Sequence, residues 1–334
     1  MTKTLDQLIE RCIQANRTPP ISTEALSTYE QLMRSDDFAI VIQCGGRGRR
    51  ADCKQPKPLA LLVDGDRPLS NVMQDVPKEV PFYLHLLAEQ KPVYVDLLSP
   101  YNNFGHRTSF ILQSEDQLYD AHHRPMHSVD GLQITASNGS VTFIRHFVKP
   151  PKYIALVDGA KFGVYFPDII NALHGLVQSQ REAMVFARRL SDGSNRTKDE
   201  LAEELANYQD SHTRFARINQ REQRIYEHPC MPRRVVDDPD WLALAGIYIV
   251  DAQAFAIKTR RQKGQLMEAE SINSLYEGFA HHLKTAMTLI GYNNRPTGLE
   301  FLTFEPTVYI PGYKNPKDKV RYEGLKKGGT FFWR

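Results

Sequence analysis

The sequence predicts an α/β protein, in which short buried strands alternate with helices around a central sheet. Three observations carry that expectation. The run Phe38 to Ile42 is wholly apolar and rich in β-branched residues, the pattern of a strand buried on both faces of a parallel sheet. It passes directly into the glycine- and arginine-rich stretch Gln43 to Arg50, which suits a tight turn leaving a strand end. Farther on, apolar runs of strand length recur between stretches of helical periodicity.

Each element follows in chain order. Leu5, Leu8, Ile9, Cys12 and Ile13 recur at helical spacing, and Ser22 stands as an N-cap before a second helical stretch, Glu24 to Met33. Residues 1–37 therefore read as an N-terminal helical extension without chemistry of its own. Phe38 to Cys44 is the first strand. A helix is expected near Leu69 to Gln90 and a strand at Pro92 to Leu98. Tyr153 to Val157 reads as a strand followed by the helix Pro167 to Gln178, with further strands at Ala183 to Ala187 and Ala245 to Val250. Ser191 to Gln220 is polar, charged and helical in pattern, so about 191–225 reads as an insertion within a catalytic α/β domain of residues 38–300. Residues 301–334 form a C-terminal segment packed on that domain.

A chain of 334 residues with 41% hydrophobic residues can bury a sizeable core. Its 42 basic and 39 acidic residues leave a formal charge of +3, which disfavours nucleic acid or an anionic membrane as the general partner. Any basic site must be local. Cys12, Cys44, Cys53 and Cys230 are scattered, with no CxxC pair and no apolar leader at the polar N-terminus, so free thiols and a reducing, cytoplasmic setting are expected. The sequons at Asn138 and Asn195 carry little weight in that setting. No run reaches the roughly 18 apolar residues of a membrane span.

In open α/β sheets ligands gather beyond the carboxyl ends of strands, and both the glycine loop and Asp158 fall at such ends. Gly45, Gly46 and Gly48 let backbone amides approach an anion, while Arg47, Arg49, Arg50 and Lys57 supply positive charge for a triphosphate. Their spacing fits neither the P-loop nor GxGxxG. Asp158 reads either as a metal ligand or as the cap of an Asp-Gly turn.

Gly45 to Arg50, followed after residues 51–55 by Pro56 and Lys57, resembles the Gly-Gly-x-Gly-Thr-Arg and Pro-Lys signature of the sugar nucleotidyltransferases, the nucleotide-sugar pyrophosphorylases. Cys53 to Lys57 is similar to the Cys-Lys-Gly-Pro-Lys of the branch containing UDP-glucose and UDP-N-acetylhexosamine pyrophosphorylases. Pro92 to Phe104 resembles that branch's second strand and the Asn/Thr-rich turn after it. Tyr153 to Gly159 resembles the strand ending in its metal-binding Asp, with Phe162, Gly163 and Asp168 to Ile170 continuing the pattern. Ala245 to Val250 looks like the strand with sugar-side contacts, and Tyr309 to Asn315 like a late Pro-x-Lys element.

The resemblance implies a Rossmann-like three-layer α/β/α mixed sheet of the GT-A, or nucleotide-diphospho-sugar transferase, type. It implies transfer of a nucleoside monophosphate, UMP on this branch, from a nucleoside triphosphate to a sugar-1-phosphate, with Mg²⁺ as cofactor. Carried over by residue, Gly45, Gly46, Arg47, Gly48 and Arg49 bind nucleotide, Arg50 and Lys57 hold the phosphates in transfer, and Asp158 holds Mg²⁺. Gly246 falls on the sugar-side strand, and Lys314 is either a second phosphate-binding lysine or one of the solvated run Lys314, Lys317, Lys319.

The chain departs from the signature at three points. Arg49 stands for the loop Thr, Asp158-Gly159 for an Asp-Asn pair, and only Ser137 to Ser140 faintly matches the Gly-rich element that reads base and sugar. Two other readings stay open: a nucleotide or nucleotide-sugar binding protein without transfer, and a glycosyltransferase of GT-A type. The latter's DxD motif has one match, Asp64-Gly65-Asp66, in a segment that reads as a turn. The adjacent pairs His122-His123 and His281-His282 project apart and suit a surface better than a shared metal. Cys44, at a strand end, reads as a buried thiol. Base, sugar and oligomeric state are left open.

Overall fold

The computed structural model describes residues 4–14, 21–45, 56–113, 115–117, 131, 135–137, 143–144, 146–189, 217–222, 224–226, 241–257, 299–313 and 318–331. Its helices are α1 (Leu5–Gln14), α2 (Thr23–Arg34), α3 (Pro68–Asp75), α4 (Lys91–Leu98), α5 (Phe166–Ser179) and α6 (Asp318–Lys327), with a short helical stretch at 252–257. The strands are β1 (Phe38–Gln43), β2 (Phe82–Leu87), β3 (Thr108–Gln113), β4 (Glu115–Gln117), β5 (Thr135–Ser137), β6 (Tyr153–Asp158), β7 (Ala183–Arg189), β8 (Arg217–Asn219), β9 (Arg224–Tyr226), β10 (Trp241–Asp251) and β11 (Phe301–Phe304). None of the described helices is long and apolar enough to cross a membrane.

Among the described residues one nine-stranded sheet runs β11-β7-β10-β6-β1-β2-β3, with β8 and β9 added beside β10. It is mixed and mostly parallel, as the sequence resemblance implied. β1 lies parallel between β2 and β6, and β2 is parallel to β3. β10 runs antiparallel to both β6 and β7. The apolar run that opened the sequence reading is thus a central strand, buried along Phe38 to Ile42.

Side-chain alternation divides the core into two faces. Ile40, Ile42, Leu84, Leu86, Ala155 and Val157 point toward α2, α3, α4 and α5. Val41, Ile154, Leu156, Val185 and Val250 point the other way, against Phe143, Ile144 and Phe255. The N-terminal extension belongs to the first face. Ser22 caps α2 by accepting from the amide of Ala25 at 3.1 Å, and Tyr29 packs edge-on against Phe38 and Phe166. A third cluster joins Leu8, Ala60, Leu62, Phe162, Tyr165 and Tyr322, fastening both chain ends to segments next to the strand ends.

Three expectations need correction. The helix expected near Leu69 to Gln90 is α3 alone, and Phe82 to Leu87 is β2. Pro92 to Leu98, expected as a strand, is helix α4. Val93 and Val95 suggest a strand by type, yet they are 41% and 38% exposed while Tyr94 and Leu98, one helical turn apart, are buried. Pro92 fits the first turn, where no amide donor is missed. The parallel between Pro92 to Phe104 and a second strand therefore fails. Within the insertion expected as helical at about 191–225, residues 217–219 and 224–226 form a hairpin that extends the sheet through β10.

Candidate functional site

Parallel pairing brings the carboxyl ends of β1, β2 and β6 level, because Gln43 is in register with both His85 and Asp158. Three blocks far apart in sequence then meet at Gly159. Its amide donates to the Gln43 carbonyl at 3.1 Å. A Cβ at this position would lie 2.9 Å from that same oxygen, 3.0 Å from Cγ of Pro58 and 3.1 Å from Sγ of Cys44. Only glycine fits such an approach. Cys44 leads into Gly45, and Pro58 follows Lys57 within the 3-10 turn Lys57–Leu59, so the immediate neighbours of Gly45 and Lys57 pack on the Asp158 turn. Lys57 is half-buried.

Asp158 is half-buried, and its Oδ1 accepts from the amide of Ala160 at 3.0 Å, which fixes the carboxylate in a tight turn. Across the sheet, β10 slips register against β7 between Leu244 and Tyr248. Gly246 lies inside that bulge with φ +72°, and a Cβ there would come 3.6 Å from Cβ of Asp158. Bulges of this kind re-aim neighbouring groups beside functional sites. Gly246, carried over for the sugar side, is therefore packed on Asp158 itself.

The surroundings restrict the chemistry. Cys44 is fully enclosed and its amide donates to the His85 carbonyl at 2.8 Å. Burial pushes its thiol well up, with the nearby Asp158 charge adding to the effect, so it is no nucleophile. Tyr94 donates its hydroxyl to the Cys44 carbonyl at 3.3 Å. His85, also buried, is pushed down to about 3 by desolvation, with His146 adding to it, and stays neutral near pH 7.

Gln113, at the end of β3, leans across Gly45: a Cβ on that glycine would collide with the Gln113 amide group. Sequence reasoning missed it because β3 itself was not expected. Its signal is the same as for β1, an apolar run closing on Gln, as Ile111-Leu112-Gln113 repeats Val41-Ile42-Gln43.

Beyond Asp158 the chain pairs with the C-terminal segment. The amide of Phe162 donates to Pro311 O at 3.0 Å, and that of Tyr313 to Ala160 O at 2.7 Å. Lys161 is 5% exposed, and its ammonium donates to Ala245 O at 2.6 Å and lies 5.5 Å from the centre of the Tyr309 ring. It lines a narrow cleft with Asp168, Ala245 and Tyr309. Asp168 is 1% exposed, its Oδ2 accepting from the amide of Val308 at 3.3 Å while its Oδ1 has no hydrogen-bond partner. Desolvation raises its pKa to about 6, against the lowering effect of bonds from Thr307 and Val308.

Gly46, Arg47, Gly48, Arg49, Arg50 and Lys314 lie outside the described residues, as do His122, His123, His281 and His282. In the Asp64-Gly65-Asp66 match, Asp66 is engaged within the fold: its Oδ2 accepts from Tyr322 Oη at 2.7 Å and Lys326 Nζ at 3.0 Å. That carboxylate fastens α6 to the 3-10 turn Val63–Gly65. Among the described residues, no group of three or more His, Cys, Asp or Glu is placed to hold a metal ion.

No protein-family model matches the sequence, and no curated protein matches it. The fold has solved counterparts. The chain is similar to the uridine diphosphate N-acetylglucosamine pyrophosphorylase from Trypanosoma brucei, solved in complex with inhibitor, at TM-score 0.58 and 13% identity, covering 98% of this chain and 73% of that one. It is similar to a protein from Entamoeba histolytica described as a UDP-N-acetylglucosamine pyrophosphorylase, at TM-score 0.50 and 11% identity over 71% of this chain and 64% of that one. A protein from Bacillus anthracis described as a glucose-1-phosphate thymidylyltransferase, in complex with a sucrose, gives TM-score 0.51 and 14% identity over 86% and 94%. These are sugar nucleotidyltransferases by description, and at such identities the likeness establishes the fold that the sequence resemblance implied.

Proposed function

We propose that the chain is a sugar nucleotidyltransferase: an oxygen of a sugar-1-phosphate attacks the α-phosphorus of a nucleoside triphosphate, the bond from that phosphorus to the β-bridging oxygen breaks, and pyrophosphate leaves. The observation that supports this best is the meeting at Gly159 of Cys44, which precedes the glycine loop, Pro58, which follows Lys57, and the Asp158 turn. The nucleophile is ionised before it binds, so the protein's work is positioning and neutralising crowded negative charge.

In this reading Gly45, Gly46 and Gly48 bring backbone amides to the phosphates, and Arg47, Arg49 and Arg50 supply guanidinium forks. Lys57 neutralises the α-phosphate in transfer. Asp158 holds Mg²⁺, and the fit is chemical: one turn-fixed carboxylate, with phosphate oxygens and water completing the shell, is what this ion favours over a closed protein cage. Mg²⁺ held by Asp158 would supply neutralisation of the phosphate charge. Lys314 is assigned to the sugar-phosphate side together with the Gly246 bulge, on the strength of the Tyr309 to Asn315 resemblance. UTP is the proposed donor, on the strength of the Cys53 to Lys57 resemblance, and a reducing cytoplasmic setting suits the buried free thiol of Cys44.

The test is exchange of labelled pyrophosphate into each of four nucleoside triphosphates over a panel of nucleotide sugars. UTP is expected to carry the label, and Lys57→Ala to abolish exchange. Undiminished exchange in Lys57→Ala would overturn the assignment. Tight nucleotide binding with no exchange under any sugar would instead assign a binding role without transfer.

A further inference from the structure

We propose that Lys161 is a positioning residue for Asp158, a staple between the turn that carries the carboxylate and the bulge that covers it. The inference rests on the metal-holding role proposed above. Lys161 touches both parts. Its amide donates to the Asp158 carbonyl at 3.0 Å and its ammonium to the Ala245 carbonyl at 2.6 Å. Ala245 adjoins Gly246, where an added Cβ would stand 3.6 Å from Cβ of Asp158.

Lysine is almost never buried unless partnered, because desolvating an ammonium is unfavourable. Packing alone needs no charge at this position; a methionine has similar length and fills the same space. The bulge does need a donor. Register slips between Leu244 and Tyr248, so the ladder to β7 is interrupted where Ala245 sits, and a carbonyl released by a bulge must be satisfied elsewhere. The Lys161 ammonium does this, and the Tyr309 ring 5.5 Å away offers its π-face to the same charge. Without the staple the bulge relaxes, Gly246 withdraws from Asp158, and the carboxylate loses one wall of its turn.

The experiment is a Mn²⁺ titration followed by electron paramagnetic resonance with UTP present, on wild type, Lys161→Met, Lys161→Arg, Gly246→Ala and Asp158→Asn. Thermal unfolding of each variant runs alongside. Loss of a group that orients a ligand weakens metal binding about 10- to 100-fold. Lys161→Met should therefore weaken Mn²⁺ by about tenfold or more, Lys161→Arg should recover much of the loss because it still donates, and Gly246→Ala should weaken it too. A purely structural lysine would lower the folded fraction and leave the affinity of the folded molecules unchanged. Wild-type affinity in Lys161→Met, with binding lost in Asp158→Asn, would overturn the staple. Unaltered binding in Asp158→Asn would remove the metal site itself, and the positioning role with it. If Lys161→Met does not fold, wild-type affinity in Gly246→Ala overturns the proposal equally.

Discussion

Replacing Gly159 with Ala tests whether the candidate site is assembled as the contacts indicate. The new methyl would sit 2.9 Å from Gln43 O, 3.0 Å from Pro58 Cγ and 3.1 Å from Cys44 Sγ, where ordinary contact begins at 3.4 Å. Relief requires a retreat of roughly 0.3–0.5 Å, and none of the three neighbours is a flexible tip: one is backbone of the central strand, one a proline ring, one a buried sulfur. Overpacking of this kind destabilises by about 1–3 kcal/mol. Pro58 is the neighbour free to yield, since β1 is held on both sides by parallel ladders. Its movement carries Lys57. A misplacement of about 1 Å lowers transfer on the order of 100-fold, so half of that should lower kcat/KM by about tenfold. Urea unfolding measures the first effect and pyrophosphate exchange the second. Gly324→Ala is the opposite control: in helix α6 a Cβ meets nothing within 4 Å, and stability should rise by about 0.5–1 kcal/mol. A Gly159→Ala protein as stable and as active as wild type would refute the convergence of the three blocks.

Other perturbations test separate parts. Asp168 has its pKa raised to about 6 from 3.8 by burial, so its ionisation opposes folding. The penalty is absent below about pH 3.8, grows toward pH 6 and is complete above it, reaching about 3 kcal/mol. Asp168→Asn should therefore flatten the fall in stability between pH 4 and 6 seen in urea melts, whereas parallel curves would contradict the raised pKa. Cys44 should resist iodoacetamide at pH 8 in the native protein and react once urea is added, as peptide mass mapping will read; rapid native labelling would place it nearer solvent. Asp66→Ala removes the carboxylate that accepts from Tyr322 Oη and Lys326 Nζ, at about 1–3 kcal/mol although Tyr322 Oη keeps the bond it accepts from Asn71 Nδ2, and should make α6 the first site of limited proteolysis. Unchanged cleavage would show that the aromatic cluster alone holds the helix.

What was legible in the sequence is what local pattern determines. β1 and β6 are short apolar runs containing β-branched residues and closing on glycine-bearing turns, and α2 carries its cap in plain view at Ser22. Phe82 to Leu87 failed because a short leucine-rich run has no period that separates strand from buried helix; Pro77 and Pro81, which precede it, were the missed breaks. Pro92 to Leu98 failed for the converse reason, its valines facing outward from a helix that buries Tyr94 and Leu98. Strand β3 went unseen because its apolar run, Phe110 to Leu112, is short and only Ile111 is fully buried, and its companion β2 had been absorbed into a helix.

The candidate site divides the same way. Glycines and basic residues clustered within a few positions announce anion chemistry without any fold, but Gln113 and Lys161 belong to the site only through contacts spanning tens of residues. Gly159 shows how a departure from a signature gains meaning from such contacts. Beside the Asp-Asn of the resembled signature, Asp158-Gly159 looks like a lost side chain. In the structure an Asn there would bring its Cβ to within 2.9 Å of the Gln43 carbonyl and into Pro58, so the glycine lets the Lys57 turn approach the strand end closely. Gly159→Asn, which restores the signature, is accordingly expected to be worse than Gly159→Ala in both stability and pyrophosphate exchange, because it adds an amide to a space that cannot take a methyl. An Asn variant more active than wild type would mean that the signature, and not the packing at Gly159, governs this position.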